Sequence, residues 1–308
     1  MFARLFAAAT ATAQRARGLT PETLEIGRWR LRLYRGGRPG GEPWLLLHGL
    51  GATSATYLPL VQSLRAECEL VLPELSELGG SRGPHAAPTV PEAAELVTAV
   101  ARHAFGDRRP TVAGISLGGW IAVKAALAAP GFAERLLLVV PGGYLDQDWT
   151  QIEKMVRVET LEDTRELWRA LFVRPAWWLR PGRYGLFLAY SSPAVRAILA
   201  SVRREDGFDA ADLARLDLPV GLIWGREDAL FRAEVGERML AALPRATLQV
   251  VPEAAHAVQW ERPHAFLDAV ARFRRDFPLR PAGVDAQDSP GSPSTEPRGG
   301  GRWPRPSS

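Results

Sequence analysis

The sequence predicts an α/β fold: an open, mostly parallel sheet flanked by helices, with a helical insertion. Two observations predict the sheet. Short apolar runs alternate with helical patterns along most of the 308 residues, and most of these runs lack polar alternation, as is typical of parallel strands buried on both faces. A third observation predicts the insertion, because the strand signal disappears between residues 142 and 217.

These changes in pattern divide the chain into four expected parts. Residues 1–20 are an N-terminal extension, residues 21–141 and 218–280 are the core, residues 142–217 are a cap, and residues 281–308 are a tail. The tail has almost no apolar side chains to bury, so we expect it to be disordered.

The N-terminal extension is expected to be helical or loosely ordered. An alternative is a helix with one face against the domain or a membrane surface, formed by Phe2, Leu5, Phe6 and Ala9. The triplet at residues 11–13 superficially resembles a signal-peptidase site, but the apolar stretch before it is short. We therefore expect a cytoplasmic protein without membrane contact, with secretion as the alternative.

The apolar runs predict the strands. Trp29, Leu31 and Leu33 alternate with arginines, a pattern typical of a strand with one wet face near a sheet edge. Strands buried on both faces are expected at residues 44–47, 70–73, 111–115, 136–140, 220–224 and 247–251. Helices are expected at residues 57–64, 92–105, 118–129, 234–243 and 264–273. Thr89 and Glu92 form a capping-box pattern at the start of the second of these helices.

The expected cap is rich in aromatic residues at helical spacing. Packing explains most of them, but a cap inserted here would cross the carboxyl ends of the strands, where open α/β sheets bind ligands. We expect it to leave an apolar roof with few charges. The aromatic residues are Trp149, Trp168, Phe172, Trp177, Trp178, Tyr184, Phe187 and Tyr190.

Composition excludes several classes of protein. A single cysteine, Cys68, permits neither an intrachain disulfide nor a thiolate zinc cluster. The 38 basic and 34 acidic residues leave a charge of only +4, too small and scattered to indicate nucleic-acid binding. No apolar run reaches the roughly 18 residues of a membrane-spanning helix. We expect no metal and no organic cofactor, and the sequence leaves the oligomeric state open.

The first candidate catalytic motif is the segment Gly114-Ile115-Ser116-Leu117-Gly118. It follows an apolar strand and precedes a helix, which is the setting of a nucleophile elbow. The glycines leave room where a sharp turn has no space for Cβ atoms. Taken alone, the string is also compatible with a serine that caps a helix after an ordinary turn.

With this segment and the motifs that follow, the chain resembles the α/β-hydrolase family over residues 24–277. The segment at residues 45–51, Leu-Leu-Leu-His-Gly-Leu-Gly, is similar to the family's His-Gly loop. The resemblance implies an oxyanion hole formed by the backbone N–H groups of Leu50 and Leu117. His48, at the strand end, is expected to shape this loop rather than to act in catalysis.

The resemblance also implies an acid and a base in the chain order Ser, Asp or Glu, His. The family's spacing after the strand-end Gly225 selects Asp228, with Glu227 as the nearby rival. Two of the five histidines, His256 and His264, follow both the last strand and a candidate acid. His264 lies on an expected helix, so His256, in the loop after the strand, is the expected base.

Three positions depart from the family pattern. Glu74 stands where relatives carry aspartate, Glu77 where they carry glycine, and Ala255 where glycine commonly precedes the histidine. None of these changes removes a catalytic group. Glu77 is expected to add a charge near the mouth of the pocket.

The implied activity is that of a serine hydrolase with Ser116 as nucleophile, His256 as base and Asp228 as its partner. The preferred substrate is a small or medium apolar carboxylic ester. Thioester hydrolysis, carbon–carbon bond hydrolysis and cofactor-free perhydrolysis use the same residues and stay open as alternatives. So does a non-catalytic binding protein on this fold.

Overall fold

The computed structural model describes residues 2–174 and 182–279. Within these ranges, eight strands form one sheet in the order β1-β2-β4-β3-β5-β6-β7-β8. Strand β2 pairs antiparallel with β1 and β4, and all the other neighbours are parallel. The strands are β1 Thr20–Ile26, β2 Trp29–Gly37, β3 Glu42–Leu47, β4 Cys68–Pro73, β5 Thr111–Ile115, β6 Arg135–Val139, β7 Val220–Gly225 and β8 Ala246–Val251. The predicted α/β fold with a mostly parallel sheet is confirmed.

Helices alternate with these strands. They are α1 Phe2–Ala16, α2 Leu58–Leu64, α3 Val90–Phe105, α4 Leu117–Ala128, α5 Trp149–Val156, α6 Thr164–Leu171, α7 Gly182–Tyr190, α8 Pro193–Ser201, α9 Ala210–Ala214, α10 Ala233–Ala242, α11 Val258–Glu261 and α12 Pro263–Asp276. Helix α3 begins with the predicted capping box, in which the Thr89 hydroxyl accepts from the Glu92 N–H and the Glu92 carboxylate accepts from the Thr89 N–H.

The central strands carry the core, as their continuous apolar runs predict. Every residue of β5, β6 and β7 is buried. The prediction is wrong for β8, where only Val251 is buried, because this strand lies at the sheet edge. Strand β1, at the opposite edge, was not predicted, since its half-exposed sequence with Pro21 and Glu22 gives no apolar run.

Only part of the face considered above packs against the domain: of its described side chains, Phe6 is half-buried against the core. Leu5 is 63% exposed and Ala9 is also exposed, whereas Thr10 and Gln14 are buried. The Phe2 side chain lies outside the description. The docked face combines apolar contacts of Ala11 and Phe6 with buried hydrogen bonds: the Gln14 amide donates to Ser54 Oγ at 2.8 Å, and the Thr10 and Thr53 hydroxyls lie 2.9 Å apart.

The segment between β6 and β7 carries helices α5 to α9. Residues 175–181 lie outside the described ranges, so the predicted aromatic pair Trp177 and Trp178 is not described, and neither is the predicted tail at residues 281–308. In the ranges that are described, no helix has the length and apolar character needed to cross a bilayer.

Candidate active site

Ser116 lies in the turn between β5 and α4, and its backbone is in an unusual conformation. Its φ is 54° and its ψ is −116°, a region that residues with a Cβ rarely occupy. The turn is held on both sides, because the Ser116 N–H donates to the Val139 carbonyl and the Ser116 carbonyl accepts from Gly142 and Trp120. Strain of this kind persists where the surrounding structure over-determines it, and it is typical of functional sites.

The glycines around Ser116 allow this turn to exist. A Cβ on Gly114 would come within 2.4 Å of the Gly118 backbone, and a Cβ on Gly118 would come within 2.1 Å of the Leu47 carbonyl oxygen. Both distances are far below van der Waals contact. The first turn of α4 can therefore approach the end of β3 only with glycine at these two positions.

The backbone N–H groups of Leu50 and Leu117 have the properties expected of oxyanion donors. Within the described chain, neither N–H donates a hydrogen bond. Leu117 is the first residue of α4, where a helix N–H has no intrahelical acceptor, and Leu50 follows Gly49 in the loop after β3. Both residues line the same cavity as Ser116.

Asp228 and His256 are paired in the interior. Asp228 Oδ2 lies 2.8 Å from His256 Nδ1, and both side chains are buried. The other carboxylate oxygen accepts the backbone N–H groups of Leu230 and Phe231 at 2.8 and 2.9 Å. With Nδ1 donating to Asp228, His256 Nε2 is left as an acceptor.

The rival acid, Glu227, has a different partner: its carboxylate accepts the Ala254 N–H at 3.1 Å. In the described part of the chain Ser116 Oγ and His256 Nε2 are not hydrogen-bonded to each other. Phe231 connects the two parts of the candidate site: it lines the Ser116 cavity, and its ring centroid lies 5.2 Å from that of His256, which does not itself line that cavity. Hydrogen bonds between a nucleophile and its base are often long in unliganded enzymes and shorten when substrate binds.

Ser116 opens into a cavity of about 410 Å³. The cavity lies between the elbow and the helices that follow β6, and its wall is mostly apolar. The apolar wall includes Leu50, Leu117, Trp120, Leu145, Trp149, Ile152, Val156, Tyr190, Ile198, Leu199, Val202, Leu230 and Phe231.

The expected apolar roof needs two corrections. Of the described aromatic residues of the segment, only Trp149 and Tyr190 line the cavity, while Trp168 and Phe172 pack on each other with ring centroids 4.6 Å apart. The outer end of the cavity is charged rather than apolar, since Glu153, Arg203 and Arg204 line it.

Glu77 is also not where we expected it. It begins a short 3-10 turn, Glu77–Gly79, that packs against α1. Its side chain lines a groove beside α1 rather than the Ser116 cavity. The expectation of a charge at the pocket mouth from Glu77 is therefore wrong.

A buried polar network supports the His-Gly loop, and sequence reasoning missed most of it. His48 Nε2 accepts the Leu75 N–H at 3.0 Å, and Nδ1 contacts the Gly49 carbonyl at 2.9 Å. Glu74 lies 3.6 Å from the same ring and accepts from the N–H and the hydroxyl of Ser54. Burial raises the pKa of Glu74, partly opposed by His48 and Ser54.

Glu261, the last residue of α11, supports the His256 loop. Its carboxylate accepts three backbone N–H groups, those of Val173, Arg174 and Ala255, at 2.8 to 2.9 Å. It therefore ties the loop before His256 to the end of the α6 segment. Only the tertiary structure brings these amides to one carboxylate.

Known proteins share both the sequence pattern and the fold. YugF, an uncharacterized hydrolase of Bacillus subtilis, is 23% identical over 257 residues, covering 76% of this chain and 90% of its own. A pimeloyl-[acyl-carrier protein] methyl ester esterase of Aliivibrio salmonicida is 26% identical, with 76% and 92% covered. The crystal structure of a bacterial membrane phospholipase A superposes with a TM-score of 0.76 and 26% identity, over 89% of this chain and 91% of that one.

The model of the alpha/beta hydrolase family matches residues 44–269, which is most of the chain. The match spans the His-Gly loop, the Ser116 elbow and the Asp228 and His256 segments. The resemblance inferred from the sequence is confirmed: the chain belongs to the alpha/beta hydrolase family of enzymes.

Proposed function

We propose that this enzyme hydrolyses small or medium, largely apolar carboxylic esters through an acyl-enzyme on Ser116. One observation carries the proposal: a serine at positive φ opens into an apolar cavity beside two backbone N–H groups, of Leu50 and Leu117, that have no acceptor in the described chain. Donors placed before charge develops stabilise the oxyanion of acyl transfer.

The mechanism follows from the roles of these groups. Ser116 attacks the ester carbonyl while His256 takes its proton, and Asp228 orients the imidazole and stabilises the imidazolium. The carbonyl oxygen becomes an oxyanion between the N–H groups of Leu50 and Leu117. His256 then protonates the leaving alcohol and activates water, which releases the acid and regenerates Ser116.

The relatives support an ester substrate. The names of two of them, the methyl ester esterase and the phospholipase, describe enzymes that cleave ester bonds. As part of the same proposal, the substrate is a small molecule, the segment at residues 142–217 acts as the cap, and the protein is cytoplasmic, which fits its single, buried Cys68.

Ser116→Ala tests the proposal. We expect the rate of para-nitrophenyl ester hydrolysis to fall on the order of 10⁴-fold while the circular dichroism spectrum stays unchanged. A fluorophosphonate probe should label the natural protein and not the variant. Ser201→Ala, a serine outside the cavity, is the matched control and should keep both properties. Full activity in Ser116→Ala, or an unlabelled natural protein, contradicts the proposal, and the second result favours a binding protein.

A further inference from the structure

The outer end of the cavity carries an excess of positive charge. Arg203, Arg204 and Glu153, all exposed, line it. A second groove, of about 470 Å³, adjoins the cavity and shares Tyr190 and Leu199 with it. The charged residues of the groove are Arg157, Glu159 and Arg196. Cavity end and groove together therefore hold four arginines and two glutamates, which we call the arginine rim.

Two arginines of the rim, Arg196 and Arg204, have no side-chain partner in the described ranges. Arg157 pairs with Glu153 at 2.5 Å, and Arg203 Nη1 donates to the carbonyls of Ala200 and Val202. By contrast, the guanidinium groups of Arg196 and Arg204 have no hydrogen bond or ion pair with any residue in the described ranges. Each presents five N–H donors in a planar fork, the geometry that carboxylate and phosphate groups accept.

The turn that carries Arg204 is fastened to the helix that begins at the nucleophile. Trp120 Nε1 donates to the Asp206 carbonyl at 2.7 Å, and Lys124 Nζ donates to the Gly207 carbonyl at 3.1 Å. Both donors lie on α4, whose first residue follows Ser116. The Asp206 carboxylate also accepts the Arg203 N–H at 2.7 Å. The position of Arg204 relative to Ser116 is thus set by structure rather than by a free loop.

We infer that the substrate carries an anionic group, a carboxylate or a phosphate, at the far end of an apolar segment, and that Arg204 together with Arg196 binds this group. The inference rests on the proposed ester hydrolysis and narrows its substrate class. Ser116 acts on the ester, the apolar wall covers the intervening segment, and the rim receives the charge. A neutral apolar ester would contact the apolar wall of the cavity but would leave the guanidinium groups of Arg196 and Arg204 without a partner.

Matched esters test this inference. Three para-nitrophenyl esters share one acyl chain length: the octanoate, the suberic acid monoester, which ends in a carboxylate, and an octanoate with a phosphate on its terminal carbon. We expect kcat/KM to be higher for at least one anionic ester than for the neutral one. Arg204→Ala should lower that ratio about tenfold, since a charge-assisted hydrogen bond is lost. Arg204→Glu should invert the preference, and added salt should reduce it.

The controls separate the possible failures. Arg272→Ala removes an exposed arginine of α12 that lines neither cavity nor groove, and it should leave the ratio unchanged. The carboxylate and phosphate esters show which anion is preferred. If all three esters are cleaved with equal efficiency, or if Arg204→Ala and Arg196→Ala keep the ratio, the inference is wrong and the proposed function stands. If no ester is cleaved, the proposed function fails.

Calorimetric titration tests the arginine rim without catalysis. Ser116→Ala is titrated with octyl phosphate and with octanol, and equal affinities for the two ligands overturn the inference.

Discussion

At the residue scale, the Asp228 carboxylate both stabilises the turn after β7 and hydrogen-bonds to His256. One carboxylate oxygen accepts the N–H groups of Leu230 and Phe231, which closes the turn after β7, and the other accepts His256. The turn therefore fixes the direction of the second oxygen. Glu227, one residue earlier, has the same charge but bonds to the Ala254 backbone.

This difference predicts opposite outcomes for two isosteric substitutions. Asp228→Asn should lower kcat on the order of 10⁴-fold, because an amide there favours the wrong imidazole tautomer. Glu227→Gln should change the rate little. Rates of ester hydrolysis by the two purified variants check this, and a large loss in Glu227→Gln with little in Asp228→Asn would identify Glu227 as the acid.

From the buried Glu74 carboxyl group we predict that the free energy of unfolding depends on pH. Burial raises its pKa above the ordinary value of 4.5, so the folded protein holds this proton more tightly than the unfolded chain does. Its contribution to stability is greatest below about pH 4.5 and is lost as pH rises through the raised pKa. In urea titrations across pH, the free energy of unfolding should therefore fall with rising pH more in the natural protein than in Glu74→Gln. The reverse trend would mean that His48 and Ser54 stabilise the carboxylate as an anion.

At the scale of elements, α1 is joined to the His-Gly loop after β3 by buried hydrogen bonds and by the contact between Glu74 and His48. Gln14 donates to Ser54, Ser54 donates to Glu74, and Glu74 lies beside the His48 ring that shapes the His-Gly loop. An exposed amphipathic helix held only by apolar contacts would not need buried polar side chains. Helix α1 therefore contributes to the position of the Leu50 loop.

Gln14→Ala should accordingly destabilise the protein by about 0.5 to 1.5 kcal/mol, the net contribution of a typical intramolecular hydrogen bond, because its bond to Ser54 is lost while Ser54 keeps its bond to Glu74. Thr12→Ala is the matched control, since Thr12 is exposed on the same helix and bonds only within it. Urea denaturation of both variants measures the difference. Equal stability of the two would show that α1 is only loosely attached.

At the scale of the whole molecule, the mostly apolar cavity at Ser116 predicts that the rate depends on the length of the acyl chain. Each CH₂ buried against its apolar wall contributes about 0.8 kcal/mol, so kcat/KM should rise roughly three- to fourfold per carbon until the cavity is full. Para-nitrophenyl esters from acetate to decanoate measure this series. A flat or falling series from acetate onward would contradict an apolar acyl site.

The sequence by itself determined the alternation of the central strands with helices and the turn at Ser116 between β5 and α4. Both depend on local causes: the buried strands β3 to β7 show as apolar runs, and the Ser116 turn needs glycines within a few residues. The capping box at Thr89 is local in the same way. Such features follow from the period of the side chains and from the sterics of a single turn.

The tertiary structure alone decided which side chains are buried and which residues distant in the sequence contact each other. It turned Thr10 and Gln14 of α1 inward, left β8 half-exposed at the edge, and brought Asp228 rather than Glu227 to His256. The physical reason is shared by all of these: each contact joins atoms far apart in the chain, so its energy exists only after the sheet has formed, and no local pattern records it.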